Sequence, residues 1–371
     1  MTRILRVKPM ATAIFVAATL ASVALVTPAS AATVKLPASG VEAPPTATLT
    51  ETGSTLLYPL WNLWVPGYNQ KYPQVTIQTA ATGSGTGISD ATNGTADIGA
   101  SDAYLSPSDV QATPDLLNIP LAISSQLVVY NIPGVTAHVK LTGKILSEIY
   151  QGQITTWNNS AITSINKGVT LPSTPIVTLH RSDSSGDTFL FTQFLSKADP
   201  SGWGAKVAYN TTVPWPNAPG ALGEAGNSGM VTGCKATPGC VAYIGISYQT
   251  QVLQSGLGYA QLANAKGNFE LPTVASIEAG AAFFVKKTPA NGTISMIYGG
   301  ATTGYPIINY EYAIVTSNNS SSSTAKAIRS VLEWSVNKND GNNSAYLNQV
   351  DFQPLPAKVT AQSLAQILKI K

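Results

Sequence analysis

Short apolar runs at 75–77, 127–130 and 176–179 alternate along the chain with longer stretches of helical periodicity. Few architectures accommodate that rhythm: strands separated by helices belong to an α/β fold. The stretch 188–195 puts Leu190, Phe191, Phe194 and Leu195 on one side, and 324–336 does the same with Ile328, Val331, Leu332 and Val336; both predict amphipathic helices. The polar run 317–323 is a loop ahead of the second helix, and there is no internal repeat. At 371 residues the chain exceeds what one ordinary core needs and suits two lobes of comparable size. Its 44% apolar content can fill such cores, while 11% charged residues argue against charged tails and a salt-bridged coiled coil.

The first residues read as an address. Arg3, Arg6 and Lys8 precede an uncharged Ala- and Val-rich stretch at 11–26, then Ala29-Ser30-Ala31, a small-residue cleavage pattern. Residues 1–31 are therefore expected to be a signal peptide, 32–47 a flexible spacer, and the mature protein to be exported. The apolar stretch falls short of the ~20 residues a membrane span needs. It holds no Cys to carry a lipid anchor, so the mature protein is expected to be soluble in the periplasm, cell envelope or medium. Three of the 21 basic residues lie in this leader and no acid does, which leaves 18 basic and 18 acidic residues beyond it. Without a global field there is no nucleic-acid partner, and an anion must be held by local geometry. Cys234 and Cys240, six apart around Pro238 and Gly239 in an exported chain, read as a disulfide closing a small ring. A zinc site would need two further ligands, and His138 and His180 have no suitable spacing to them.

Three segments combine small residues and a hydroxyl just before an expected helix. They are Gly53-Ser54-Thr55 ahead of 56–64, Gly83-Ser84-Gly85-Thr86-Gly87 ahead of 88–93, and Asp183-Ser184-Ser185-Gly186 ahead of 188–195. The first N–H groups of a helix lack internal partners and its dipole is positive at that end, so such loops hold a tetrahedral oxyanion on backbone donors. None has the Lys-Ser/Thr ending of a P-loop. Arg181, directly before the third loop, offers a planar guanidinium, and Asp183 two residues on would orient it.

Asp102 ends Gly99-Ala100-Ser101-Asp102, where a short strand stops. A carboxylate beside an anion site makes sense when the anion carries a proton. Hydrogen phosphate donates to it, whereas sulfate would meet it with lone pairs, so Asp102 reads as the selectivity residue.

These segments, with Ala96-Asp97-Ile98 and His180-Arg181-Ser182-Asp183-Ser184-Ser185-Gly186-Asp187-Thr188, resemble the phosphate-binding proteins of phosphate ABC importers, the PstS family. The likeness continues in order through Asn131-Ile132-Pro133-Gly134, Val241-Ala242-Tyr243-Ile244-Gly245 and Pro354-Leu355-Pro356. It is closest to actinobacterial members through Met230-Val231-Thr232-Gly233-Cys234 and Tyr305-Pro306-Ile307-Ile308-Asn309-Tyr310-Glu311-Tyr312. The resemblance implies a type II periplasmic-binding-protein fold, with two lobes, a central ligand cleft and two crossover hinges near 122–125 and 305–310. Lobe I is then discontinuous, 48–123 plus 311–371, and lobe II is 124–310. It implies a monomer that binds inorganic phosphate through Thr55, Leu56, Ser84, Asp102, Arg181, Ser185, Gly186 and Asp187 and delivers it to a transmembrane ABC permease. No catalytic residue, metal or cofactor is implied. Asp187 stands where several relatives carry a hydroxyl residue, and a second carboxylate there requires a second ligand proton, its own protonation, or a share of Arg181.

Other readings compete. Gly226-Asn227-Ser228-Gly229 and His138 faintly suggest a serine hydrolase, but the chain has only two histidines and the Gly226 segment is better read as a loop before a helix. Sulfate or molybdate is an alternative ligand, and an envelope adhesin would have no use for Asp102.

Overall fold

The computed structural model describes residues 43–319 and 321–371; the expected signal peptide and residues 32–42 of the spacer lie outside them. The chain is α/β. Among the described residues there are twelve strands, β1 (Ala47–Gly53), β2 (Val75–Ala80), β3 (Ile98–Ser101), β4 (Leu116–Tyr130), β5 (Lys140–Leu141), β6 (Val177–Arg181), β7 (Leu222–Glu224), β8 (Cys240–Gly245), β9 (Gly258–Tyr259), β10 (Gln261–Ala263), β11 (Phe269–Glu270) and β12 (Ile308–Thr316). Nine form one sheet in the order β2-β1-β3-β12-β4-β8-β6-β7, with β9 beside the end of β4; β11, β10 and β5 form a small second sheet.

Strand direction in the large sheet decides where function can sit. β1, β2 and β3 are parallel, β12 runs against both β3 and β4, and β8 runs against β4 but parallel to β6. The carboxyl ends of β1 and β3 therefore point toward the second half of the sheet, and that of β6 points back toward the first. Ligands of open α/β sheets lie outside the carboxyl ends of strands, and here two sets of such ends face one another.

β4 belongs to both halves. Residues 116–125 pair with β12 and residues 126–130 with β8, and all fifteen residues of the strand are buried. Pro120 is admitted to a central strand by a bulge. Tyr312 stands opposite Pro120 and Glu311 opposite Ala122, which leaves Leu121 as the extra residue. The carbonyls freed there find side-chain donors, Ser363 Oγ to Pro120 at 2.7 Å and Asn342 Nδ2 to Leu121 at 2.6 Å.

Two sequence expectations are corrected. The helix expected over 188–195 runs Gly186–Ala198 and is buried on every side from Gly186 to Leu195, so it is a core helix and not an amphipathic one. Its stripe of Leu and Phe is joined inside by Phe189, Thr192 and Gln193, the last tied to Tyr104 at 3.0 Å. The second glycine-rich segment is not a loop ahead of a helix starting at Ile88: the helix is Ser84–Asn93, and the turn before it is Gly83 at φ +98°. By contrast, Ser322–Val336 keeps a polar stripe of Lys326, Arg329 and Glu333 opposite buried Ile328, Val331 and Leu332. Cys234 and Cys240 are disulfide-bonded with Cα atoms 5.3 Å apart, joining the helix Gly226–Ala236 to the start of β8. No helix among the described residues is long and apolar enough to cross a membrane.

Candidate anion-binding site

β1, β3 and β6 end at Gly53, Ser101 and Arg181, and each is followed by one of the segments singled out above. Ser54 and Thr55 lead into the helix Tyr58–Lys71, which begins two residues later than expected. Its entry is fixed by Ser54, whose Oγ accepts from the Leu57 amide at 2.9 Å and donates to Asp102 Oδ1. Ser84 is the first residue of its helix, and its Oγ accepts from the Asp102 amide at 3.1 Å. Ser185 is the N-cap of Gly186–Ala198, its Oγ accepting from the Thr188 amide at 3.3 Å, so Gly186 and Asp187 are the first two helical residues.

These segments meet. The Gly85 amide donates to the Ser184 carbonyl at 3.0 Å. A Cβ at Gly186 would stand 2.4 Å from both Asp102 Oδ2 and Ser84 Oγ, so only glycine permits the approach. Thr55, Ser84, Asp102, Arg181, Ser185, Gly186 and Asp187 are all buried, and the structure brings them into one cluster. Among the described residues the amides of Thr55, Leu56, Ser84, Gly186 and Asp187 bond to no acceptor. Buried N–H groups are rarely left so; those of Ser84, Gly186 and Asp187 are orphan donors at helix N-termini, and those of Thr55 and Leu56 belong to the turn leading into Tyr58–Lys71. Leu56 offers only its amide; its side chain packs against Gly245 and its carbonyl accepts from Ser247 Oγ at 2.7 Å.

Charge is concentrated on few groups. Arg181 Nε donates to Asp183 Oδ1 at 2.7 Å, Nη2 to Asp183 Oδ2, and Nη1 to Asp187 Oδ2 at 3.0 Å. Asp183 thus holds the guanidinium in a bidentate grip and also accepts from the Gly226 amide at 3.1 Å. Burial alone would raise Asp183, but Arg181 overcomes it and holds the carboxyl below its ordinary range. Burial raises Asp187 despite three donors, Arg181, Gln126 Nε2 at 2.9 Å and Asn227 Nδ2 at 2.6 Å. Asp187 shares Arg181, and its raised titration also favours its own protonation, two of the three ways in which it can be tolerated. Burial first, then the Asp187 charge, pushes Asp102 above the ordinary carboxylate range.

Sequence reading missed Gln126, Asn227 and Glu311. Asn227 is the most connected: it bridges Asp187 to Thr55 Oγ1 at 2.9 Å, and its Oδ1 accepts from the Gly245 amide at 2.8 Å. It lies in the segment read as a loop before a helix, but the helix starts at Gly226 itself. Ser228 is exposed, and His138 Nδ1 contacts the Tyr259 carbonyl at 2.8 Å. Among the described residues no group of His, Cys, Asp and Glu is arranged to hold a metal ion.

A family model described as a PBP superfamily domain matches residues 39–339. Phosphate-binding protein PstS of Xylella fastidiosa is 30% identical over 326 residues, covering 86% of each chain. The chain belongs to the PstS family. PstS of Methanocaldococcus jannaschii is 33% identical over 318 residues, 80% of each chain, and actinobacterial members are represented by PstS3 of Mycobacterium bovis, 30% identical over 329 residues and 83% of each. The fold agrees with solved PstS-like structures. A high-affinity periplasmic phosphate-binding protein, PfluDING, solved with phosphate at pH 8.5, superposes with a TM-score of 0.68 at 21% identity over 86% of this chain and 93% of that one. The PstS fold of this chain is thus the type II periplasmic-binding-protein fold expected from its motifs.

Proposed function

We propose that this protein is an exported solute-binding protein that captures inorganic phosphate and delivers it to an ABC-type permease. It changes no covalent bond. The observation that carries the reading is the meeting of five unpaired buried amides with one guanidinium and one buried acceptor carboxylate. Hydrogen phosphate matches that set: its oxygens take the N–H groups of Thr55, Leu56, Ser84, Gly186 and Asp187, the Ser84 and Ser185 hydroxyls and Arg181, and its P–OH donates to Asp102. The relatives' names, phosphate-binding protein PstS, support the same ligand. The expected leader at 1–31 and the periplasmic setting of PfluDING support export. In this reading lobe I (48–123 and 311–371) and lobe II (124–310) close on the ligand, and the closed surface is what the permease receives.

Titration calorimetry with phosphate and with sulfate tests the ligand: heat of binding is expected with the first and not with the second, and silence with phosphate overturns the reading. Asp102→Asn keeps the shape but replaces an acceptor by an amide that also donates. Phosphate-over-sulfate discrimination is expected to fall on the order of 100-fold, about 3 kcal/mol for a buried mismatched polar group, with the circular dichroism spectrum unchanged.

A further inference from the structure

Beside Asp102 lies a fourth carboxyl that no binding role absorbs. Glu311, on β12 beside the bulge, is 0% exposed. Its Oε1 accepts from Ser124 Oγ and from Asn309 Nδ2 at 2.9 Å, while Oε2 receives no donor. The ion pairs among the described residues are Lys71–Asp340, Arg181–Asp183 and Arg181–Asp187, so no cation reaches it. The group it does meet is another acid: one step past the Tyr312–Ser101 pair of β12 and β3, Glu311 lies opposite Asp102, and Asn309 Nδ2 reaches both Glu311 Oε1 at 2.9 Å and the Asp102 carbonyl at 3.5 Å. Two carboxylates so placed, both out of water, cannot both be ionised.

We propose that Glu311 keeps its proton at neutral pH and donates it to Asp102, fixing Asp102 as an ionised acceptor. Glu311 is then a positioning residue for selectivity. The proton belongs on Glu311 because Asp102 has the Ser54 hydroxyl on Oδ1 and the field of Arg181, whereas Glu311 has neutral partners alone. Burial, then the Asp102 charge, raises Glu311 well above its ordinary range, in agreement with this order. The titratable groups acting here are Asp102 and the neighbouring Tyr312 directly and, through Asp102, Asp187 and Arg181. From β4 only Ser124 bonds to Glu311, and the helices Ser84–Asn93 and Val274–Val285 packed on β12 contribute no hydrogen bond or ion pair to it. The role in selectivity rests on the phosphate reading above; the protonation does not.

The test separates the two. In ligand-free protein with 13C-labelled glutamate carboxyls, two side chains are expected to remain protonated at about pH 7: Glu311 and Glu51, the latter also buried with neither oxygen partnered. Glu51→Gln should leave one such signal and Glu311→Gln should remove it from the remaining pair. If Glu51→Gln leaves no protonated glutamate, the proposal is overturned even where Glu311→Gln fails to fold and whatever the protein binds. For selectivity, Glu311→Gln retains an N–H donor to Asp102, and Glu311→Leu has none. Phosphate-over-sulfate discrimination should fall less than about tenfold in the first and more than about tenfold in the second; equal losses overturn the donor role.

Discussion

Asp187 illustrates how a single side chain is read in stages. From the sequence it is a carboxylate out of place in an anion site; in the structure it is fully buried and surrounded by Arg181, Gln126 and Asn227. Its raised titration gives the sign of a pH effect. As pH falls Asp187 takes up a proton, its repulsion of the incoming anion is lost, and affinity rises. Toward acidic pH the wild-type protein should gain phosphate affinity relative to Asp187→Thr, by at most about tenfold per pH unit for one proton. Calorimetry at falling pH checks it, and parallel profiles would count against the assignment. Arg181, Asp183 and the hydroxyls were legible because their chemistry is unusual beside Gly-rich helix starts. Asn227 and Gln126 were not, since a neutral amide has no pattern in sequence and acquires meaning only from what the fold places against it.

At the scale of elements, the helix Gly226–Ala236 works at both ends. Its second residue, Asn227, ties Asp187 to Thr55, and its Cys234 is bonded to Cys240 at the start of β8. Because that bond closes a ring of only seven residues, a Cys234→Ser/Cys240→Ser variant should lose about 2 kcal/mol of stability by loop entropy. A lower Tm with phosphate affinity within about twofold is the expected outcome, since hydrogen bonds and not the disulfide position Asn227. The alternating α/β pattern and this pairing could be read from the chain. The first half of β4 could not: Asn118 and Pro120 argue against a central strand, and the bulge at Leu121 that admits them is a tertiary feature. The helix at Gly186–Ala198 misled for a related reason, since a stripe of Leu and Phe looks the same whether the opposite face meets water or other elements.

For the molecule as a whole, buried acids set the dependence of stability on pH. Burial raises Glu51 and Glu311 well above their ordinary range in the fold. The folded chain therefore keeps protons that the unfolded chain releases above about pH 4, and ligand-free stability should fall as pH rises from there toward neutrality and beyond. Each fully retained proton is worth about 1.4 kcal/mol per pH unit, about 2 °C in Tm for a chain of this size. Thermal melts of Glu51→Gln should show a shallower decline than wild type, and identical slopes would mean that Glu51 is ionised in the fold. The sheet adds a mechanical consequence. β4 runs without a break from one half to the other, hydrogen-bonded on the way to β12 and then β8. If the two lobes open as proposed, parting the facing strand ends would have to flex this shared ribbon like a leaf spring.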